Sequence, residues 1–186
     1  MVRTKGKMQP IKQKTMINDI KTWLLEEKDE KYSFLFTLGC NTGLRVSDLL
    51  KLKVKDVRGK SVLRVISEKT DKELGVPLNA YIRSEIAKFI KGMDDEDFLF
   101  RSREGQNKAV SRQMVSMVLK EVATVFGLES FNTHSMRKTF GYWYYDATKD
   151  VYLLMKLFGH TSQTQTLEYI GVEEDELVQS LEDFRV

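Results

Sequence analysis

The chain holds only two histidines, His134 and His160, among its 186 residues. His134 stands three residues before Arg137 in THSMRKTFGYW. On a helix that spacing puts both on one face, where both can donate to one anion. His160 precedes Tyr169 in FGHTSQTQTLEYIGV. Arg45 follows CNTGL, where a glycine ends one helix and the arginine begins the next, and Asp48 can brace it from the same helical face. Lys69 falls in ISEKTDKELGVPL, at the tip of an expected hairpin, where a lysine can swing into a site. As a set these residues have one chemical sense. Arg45, Arg137 and His160 can bind a phosphate, His134 can orient or deprotonate, Tyr169 supplies a nucleophilic oxygen, and Lys69 can protonate a leaving group.

Taken one at a time, each residue has an ordinary explanation. A His and an Arg on one helix face are common on surfaces. An exposed Arg–Asp pair contributes little. A turn lysine is usually solvated, and a lone tyrosine is usually half-buried core.

The elements that must position this set read as mostly helical. A helix is expected from Thr15, with Thr15 as its cap and Ile17, Ile20, Trp23 and Leu24 as its apolar stripe. YSFLFTLGCNTG reads as a largely buried helix ending at Gly43, and VSDLLKLKVKDV begins with a short one. SVLRVISEKT alternates and is rich in β-branched residues, so it reads as a strand with a return strand running into Pro77. Helices follow in NAYIRSEIAKFIKG, SRQMVSMVLKEVATVFG, HSMRKTFGYWYYDAT (capped by Thr133 or Ser135) and VYLLMKLFG. EEDELVQSLEDF suits a last helix, with acidic residues at its N-terminal dipole. The fold class is mainly α with a small antiparallel sheet near residues 60–78.

With 41% hydrophobic residues the chain can bury a core as one domain. No apolar run is long enough to span a membrane, and no signal peptide is evident. The single cysteine, Cys40, excludes an internal disulfide, fits a cytoplasmic setting, and with two distant histidines makes no zinc site. Net charge is only +3 but unevenly spread: residues 1–14 carry five basic and no acidic residues, whereas 173–186 carry six acidic and one basic. A basic body with an acidic tail suits a polyanion partner. Ordinary solvated faces would look the same.

The set strongly resembles one family, the tyrosine recombinases or phage integrases. TGLRVSDLLKLKVKDV resembles its first box, EKTDKELGVPL its hairpin lysine, HSMRKTF its His-x-x-Arg box, and FGHTSQTQTLEYIGV its Gly-His…Tyr box, all in family order. The departures are small: Met136 and Phe158 stand where leucine is usual, and Lys138 where histidine is frequent. The resemblance implies that residues 15–172 form a catalytic domain, behind a basic arm at 1–14 and ahead of an acidic helix at 173–186. Relatives commonly carry an N-terminal DNA-clamping domain. The chain therefore resembles either an excised catalytic domain or the short recombinases that invert fimbrial promoters.

The resemblance further implies that Tyr169 attacks a diester of double-stranded DNA to form a 3′-phosphotyrosyl link. It makes Lys69 the acid for the departing 5′ oxygen and makes a metal or other cofactor unnecessary. It implies a homotetramer on DNA, with the C-terminal helix, apolar at Leu177, Leu181 and Phe184, either passed to a neighbour or packed on its own domain. Arg101, Arg103, Lys108, Arg112 and Lys138 are the expected DNA contacts. Two other readings use the same residues: a DNA-binding protein without strand exchange, and a nickase that relaxes one duplex.

Overall fold

A computed structural model describes residues 8–66 and 73–172. Lys69 and the acidic segment 173–186, with its expected last helix, lie outside the described residues. Among the described residues the elements are α1 (Lys14–Glu27), α2 (Glu30–Thr42), α3 (Val46–Leu50), α4 (Val54–Val57), β1 (Val62–Ile66), β2 (Glu73–Pro77), α5 (Ala80–Phe89), α6 (Arg112–Val125), α7 (Thr133–Thr148), α8 (Val151–Phe158) and α9 (Gln163–Ile170). The mainly helical class with a small sheet is as the sequence implies. None of these helices is long and apolar enough to cross a membrane.

α2 explains the centre. Ser33 to Gly39 are all buried, so this helix is enclosed rather than one-sided. α1 covers it with the expected stripe, Ile20 and Leu24 fully buried and Ile17 and Trp23 partly so. α7 packs on its far side. The strands pair antiparallel, Val62 opposite Pro77 and Ile66 opposite Glu73. Leu63, Val65 and Val76 turn into the core while their neighbours face out, as the two-residue period requires. A second, smaller apolar cluster of Leu154, Phe158, Ile170 and Val172 lies under α7, α8 and α9.

Two local expectations need correcting, and one element was not foreseen. α1 begins at Lys14, with Gln13 at the cap position and no side-chain cap bond, so Thr15 does not cap it. The start is set instead by the preceding residues, which are bound to α7: the Ile11 N–H donates to Thr139 Oγ1 at 2.9 Å and Trp143 Nε1–H donates to the Ile11 carbonyl at 2.9 Å. Residues 8–13 are therefore a strap and not a loose arm. α7 is capped by Asn132, whose side chain accepts from the His134 N–H at 2.8 Å, while Ser135 Oγ accepts from the Asn132 N–H at 3.1 Å. That reciprocal pair leaves Thr133 and Ser135 inside the first turn. The one-turn helix α4 was not expected from sequence; Asp56 closes it by accepting from the Lys53 N–H at 2.8 Å.

Two glycines allow the close approaches. Gly43 ends α2 at φ +64, and a methyl there would sit 2.4 Å from Phe140 Cδ1. Gly141 lets α7 touch α9, since a methyl on it would sit 2.5 Å from Ile170 Cγ2.

Candidate active site

Four of the expected residues meet around a cleft of about 220 Å³ lined by Arg45, Val46, Ser47, Arg112, Thr133, His134 and Arg137. Arg45 holds the N-cap position of α3, placed there by the left-handed turn at Gly43. His134 and Arg137 come from the first turns of α7. Arg112 opens α6; the sequence marked it as an expected DNA contact but not as a neighbour of Arg45, His134 and Arg137. Larger clefts lie elsewhere, around Arg103 and Lys108, and hold none of the set.

Arg137 is the hinge of the arrangement. It is 3% exposed, and its guanidinium donates to the Gly43 carbonyl and, at 3.1 Å, to the Leu157 carbonyl. The same plane lies 4.3 Å over the Phe158 ring. Only a planar fork of donors can serve two carbonyls and an aromatic face together. Burial pulls its pKa down to about 10, with the Arg45 charge adding to this and Tyr169 and Asp48 opposing it. It remains a cation at neutral pH. Asp48 is buried at 4% and its Oδ1 has no hydrogen-bond partner among the described residues, so the carboxylate serves the Arg137 charge across space.

Tyr169 and His160 stand behind Arg137 and do not line the cleft. Tyr169 is half-buried on α9, with its ring edge-on to His160 at 5.1 Å and to Phe158 at 5.3 Å. Burial raises its phenol pKa; the nearby Arg137 and Arg45 offset this only in part. The free protein thus keeps the phenol protonated. His134 is exposed at the rim of the cleft; partial desolvation of its ring and the charges of Arg112, Arg137, Arg45 and Lys138 lower its pKa and keep it neutral.

The expected DNA contacts divide. Lys108 and Arg112 are exposed. Arg101 and Arg103 are exposed but paired, with Asp97 and Asp29 respectively, each at 3.0 Å. Lys138 is buried: its ammonium donates to the Met8 carbonyl at 2.8 Å and lies 4.9 Å from the Tyr169 ring centre. Its place is beside Tyr169 and not on an outer surface. Among the described residues no group of three His, Cys, Asp or Glu is placed to hold a metal ion.

Comparison with known proteins bears on this geometry. The probable integrase/recombinase YoeC of Bacillus subtilis strain 168 is 39% identical over 168 residues, 90% of this chain and 92% of its own. The tyrosine recombinase XerA of Pyrococcus furiosus is 30% identical over 144 residues, 76% of this chain but 50% of its own, so the chain spans about half of that relative. The fold matches the crystal structure of XerA recombinase with a TM-score of 0.74 at 18% identity, covering 100% of this chain and 68% of that one. It also matches XerH recombinase in a post-cleavage complex with its difH substrate, with a TM-score of 0.72 at 19% identity, over 90% of this chain and 49% of that one. The model of the phage integrase family matches residues 7–176, and with the arginines, histidines and tyrosine gathered as described, the chain belongs to that family, the tyrosine recombinases.

Proposed function

We propose that this chain is a site-specific recombinase that cuts and rejoins DNA strands through a 3′-phosphotyrosyl intermediate on Tyr169. The observation that carries this is Arg137, a buried cation whose charge acts on Tyr169 and which opens onto the cleft shared with Arg45, Arg112 and His134. A diester phosphate entering that cleft meets three guanidinium groups, of Arg45, Arg112 and Arg137, that are charged before it arrives. Charge grows on its non-bridging oxygens as the tyrosine oxygen approaches, so fixed donors stabilise the transition state more than the ground state. The Tyr169 proton passes to an acceptor such as neutral His134. The bond from phosphorus to the 5′ oxygen breaks, and Lys69, from the segment between β1 and β2, returns a proton to that oxygen. A 5′ hydroxyl of a partner strand then attacks the phosphotyrosine and restores a diester. One diester is exchanged for another, so no ATP is consumed. Exchange between two duplexes takes four protomers.

Covalent trapping tests the reading. The protein is incubated with duplexes from around its own gene, some nicked beside each candidate site so that religation fails, and then denatured. An adduct mapping to Tyr169 is expected, and none from Tyr169→Phe. Salt-sensitive binding of the same DNA without any adduct would instead support a DNA-binding protein without strand exchange.

The ion pairs of Arg101 and Arg103 give a second expectation. Arg112→Gln should lower the slope of log affinity against log salt by about 1, as for one lost phosphate contact. Arg101→Gln should change it less, because Asp97 already neutralises that charge in the free protein. The weakening should be even across DNA sequences. A loss confined to one target sequence would place Arg112 on a base edge instead.

A further inference from the structure

Thr166 stands three residues before Tyr169 on α9 and is fully buried, 0% exposed. Its hydroxyl meets two polar groups, the Ser162 carbonyl at 3.1 Å and His160 Nδ1 at 3.0 Å. A hydroxyl has one proton. The Ser162 carbonyl can only accept, so the Thr166 proton goes to it. The Thr166 oxygen then turns a lone pair toward Nδ1, and that contact is a hydrogen bond when Nδ1 carries hydrogen. Both contacts are satisfied by one direction of donation, from Nδ1–H to Oγ1–H to the carbonyl.

We propose that Thr166 is a positioning residue that holds the proton of His160 on Nδ1, making Nε2 the nitrogen at which the ring gains or loses a proton. Free neutral imidazole of histidine favours the opposite tautomer, with hydrogen on Nε2, so the protein sets the tautomer and does not merely accept it. The ring is also fixed in plane, edge-on to Phe158 at 5.5 Å and to Tyr169 at 5.1 Å. Because Thr166 rides on the same helix as Tyr169, this bond ties the histidine to the nucleophile. The two move as one body when DNA enters.

The tautomer can be read without DNA. In the whole chain, labelled with ¹⁵N at histidine, long-range ¹H–¹⁵N correlation distinguishes a protonated from an unprotonated ring nitrogen. Only two histidines contribute, and a His134→Gln variant assigns them. At a pH where the rings are neutral, His160 should show hydrogen on Nδ1. Thr166→Val, close in shape but without the hydroxyl, should shift it to the Nε2–H form, and Thr166→Ser should restore Nδ1–H. A wild-type ring with hydrogen on Nε2, or a valine variant with an unchanged tautomer, would overturn the proposal. If the valine variant does not fold, the wild-type spectrum alone decides.

The catalytic consequence rests on the recombinase reading. Thr166→Val should slow adduct formation by about 10- to 100-fold, by analogy with partners that orient metal-bound histidines, with recovery in Thr166→Ser. A valine variant that shows the shifted tautomer yet cleaves at the wild-type rate would refute the positioning role. No adduct from any form, with the Nδ1–H tautomer intact, would defeat the recombinase reading and leave the tautomer assignment standing.

Discussion

Arg137→Lys should lower the rate of strand cleavage by about 10²- to 10³-fold, the loss expected when one preorganised donor is removed from a developing charge. Lysine keeps the charge, so the expectation rests on shape. The guanidinium spans the Gly43 carbonyl on one side and the Leu157 carbonyl on the other while stacking on Phe158, and its charge acts on Tyr169. An ammonium is a point donor on a flexible stem and cannot hold both carbonyls and the ring. Whichever carbonyl it abandons stays buried and unpaired, which adds a stability cost of about 1–3 kcal/mol. Single-turnover trapping at saturating DNA separates the two effects, because a stability loss alone leaves the rate of the folded fraction unchanged. Cleavage near the wild-type rate would reduce Arg137 to a scaffold residue.

Gly43→Ala should be the most damaging single methyl in the protein. Its backbone is left-handed at φ +64, which costs an alanine about 1–2 kcal/mol. The new methyl would also sit 2.4 Å from Phe140 Cδ1 and 2.9 Å from Cε1, against a ring held in the cluster beneath α8 and α9. Overpacking of that kind adds about 1–3 kcal/mol. Urea denaturation should therefore show a loss of about 2–5 kcal/mol, the sum of the two costs. The effect should reach the site, since the Gly43 carbonyl is one of the two that fix Arg137. A loss below about 1 kcal/mol would mean that Phe140 moves aside freely.

The contrast between these residues shows what was legible. The family could be read because residue type and spacing are themselves the signal, and Arg45, His134 and Arg137 of the proposed set meet at one cleft: His134 and Arg137 share a helix face, and Arg45 follows a helix-ending glycine. The helices of the core could be read from their apolar period. What escaped depends on partners distant in sequence. Nothing in MQPI announces a bond from Ile11 to Thr139, because one backbone N–H resembles any other. Arg101, Arg103 and Arg112 are equally basic on paper, yet two face carboxylates and the third faces the cleft. Thr166 is one threonine among three in TSQTQT, and only its burial and its two contacts distinguish it. The caps were misplaced by one or a few residues, because Asn132 and Thr133 are both competent and the choice rests on backbone angles.

The strap over α7 orders events during synthesis. A ribosome delivers Ile11 long before Thr139 and Trp143, so for most of translation its N–H and carbonyl have only water as partners. α1 and α2 are neighbours in sequence and can pair early, but the shell around them stays open until α7 emerges. By then Arg45 and Arg137 are both present and Tyr169 is not. On the proposed mechanism, a nascent chain therefore holds the two arginines that would grip phosphate before it holds the tyrosine that would cut, which arrives with the last helix described.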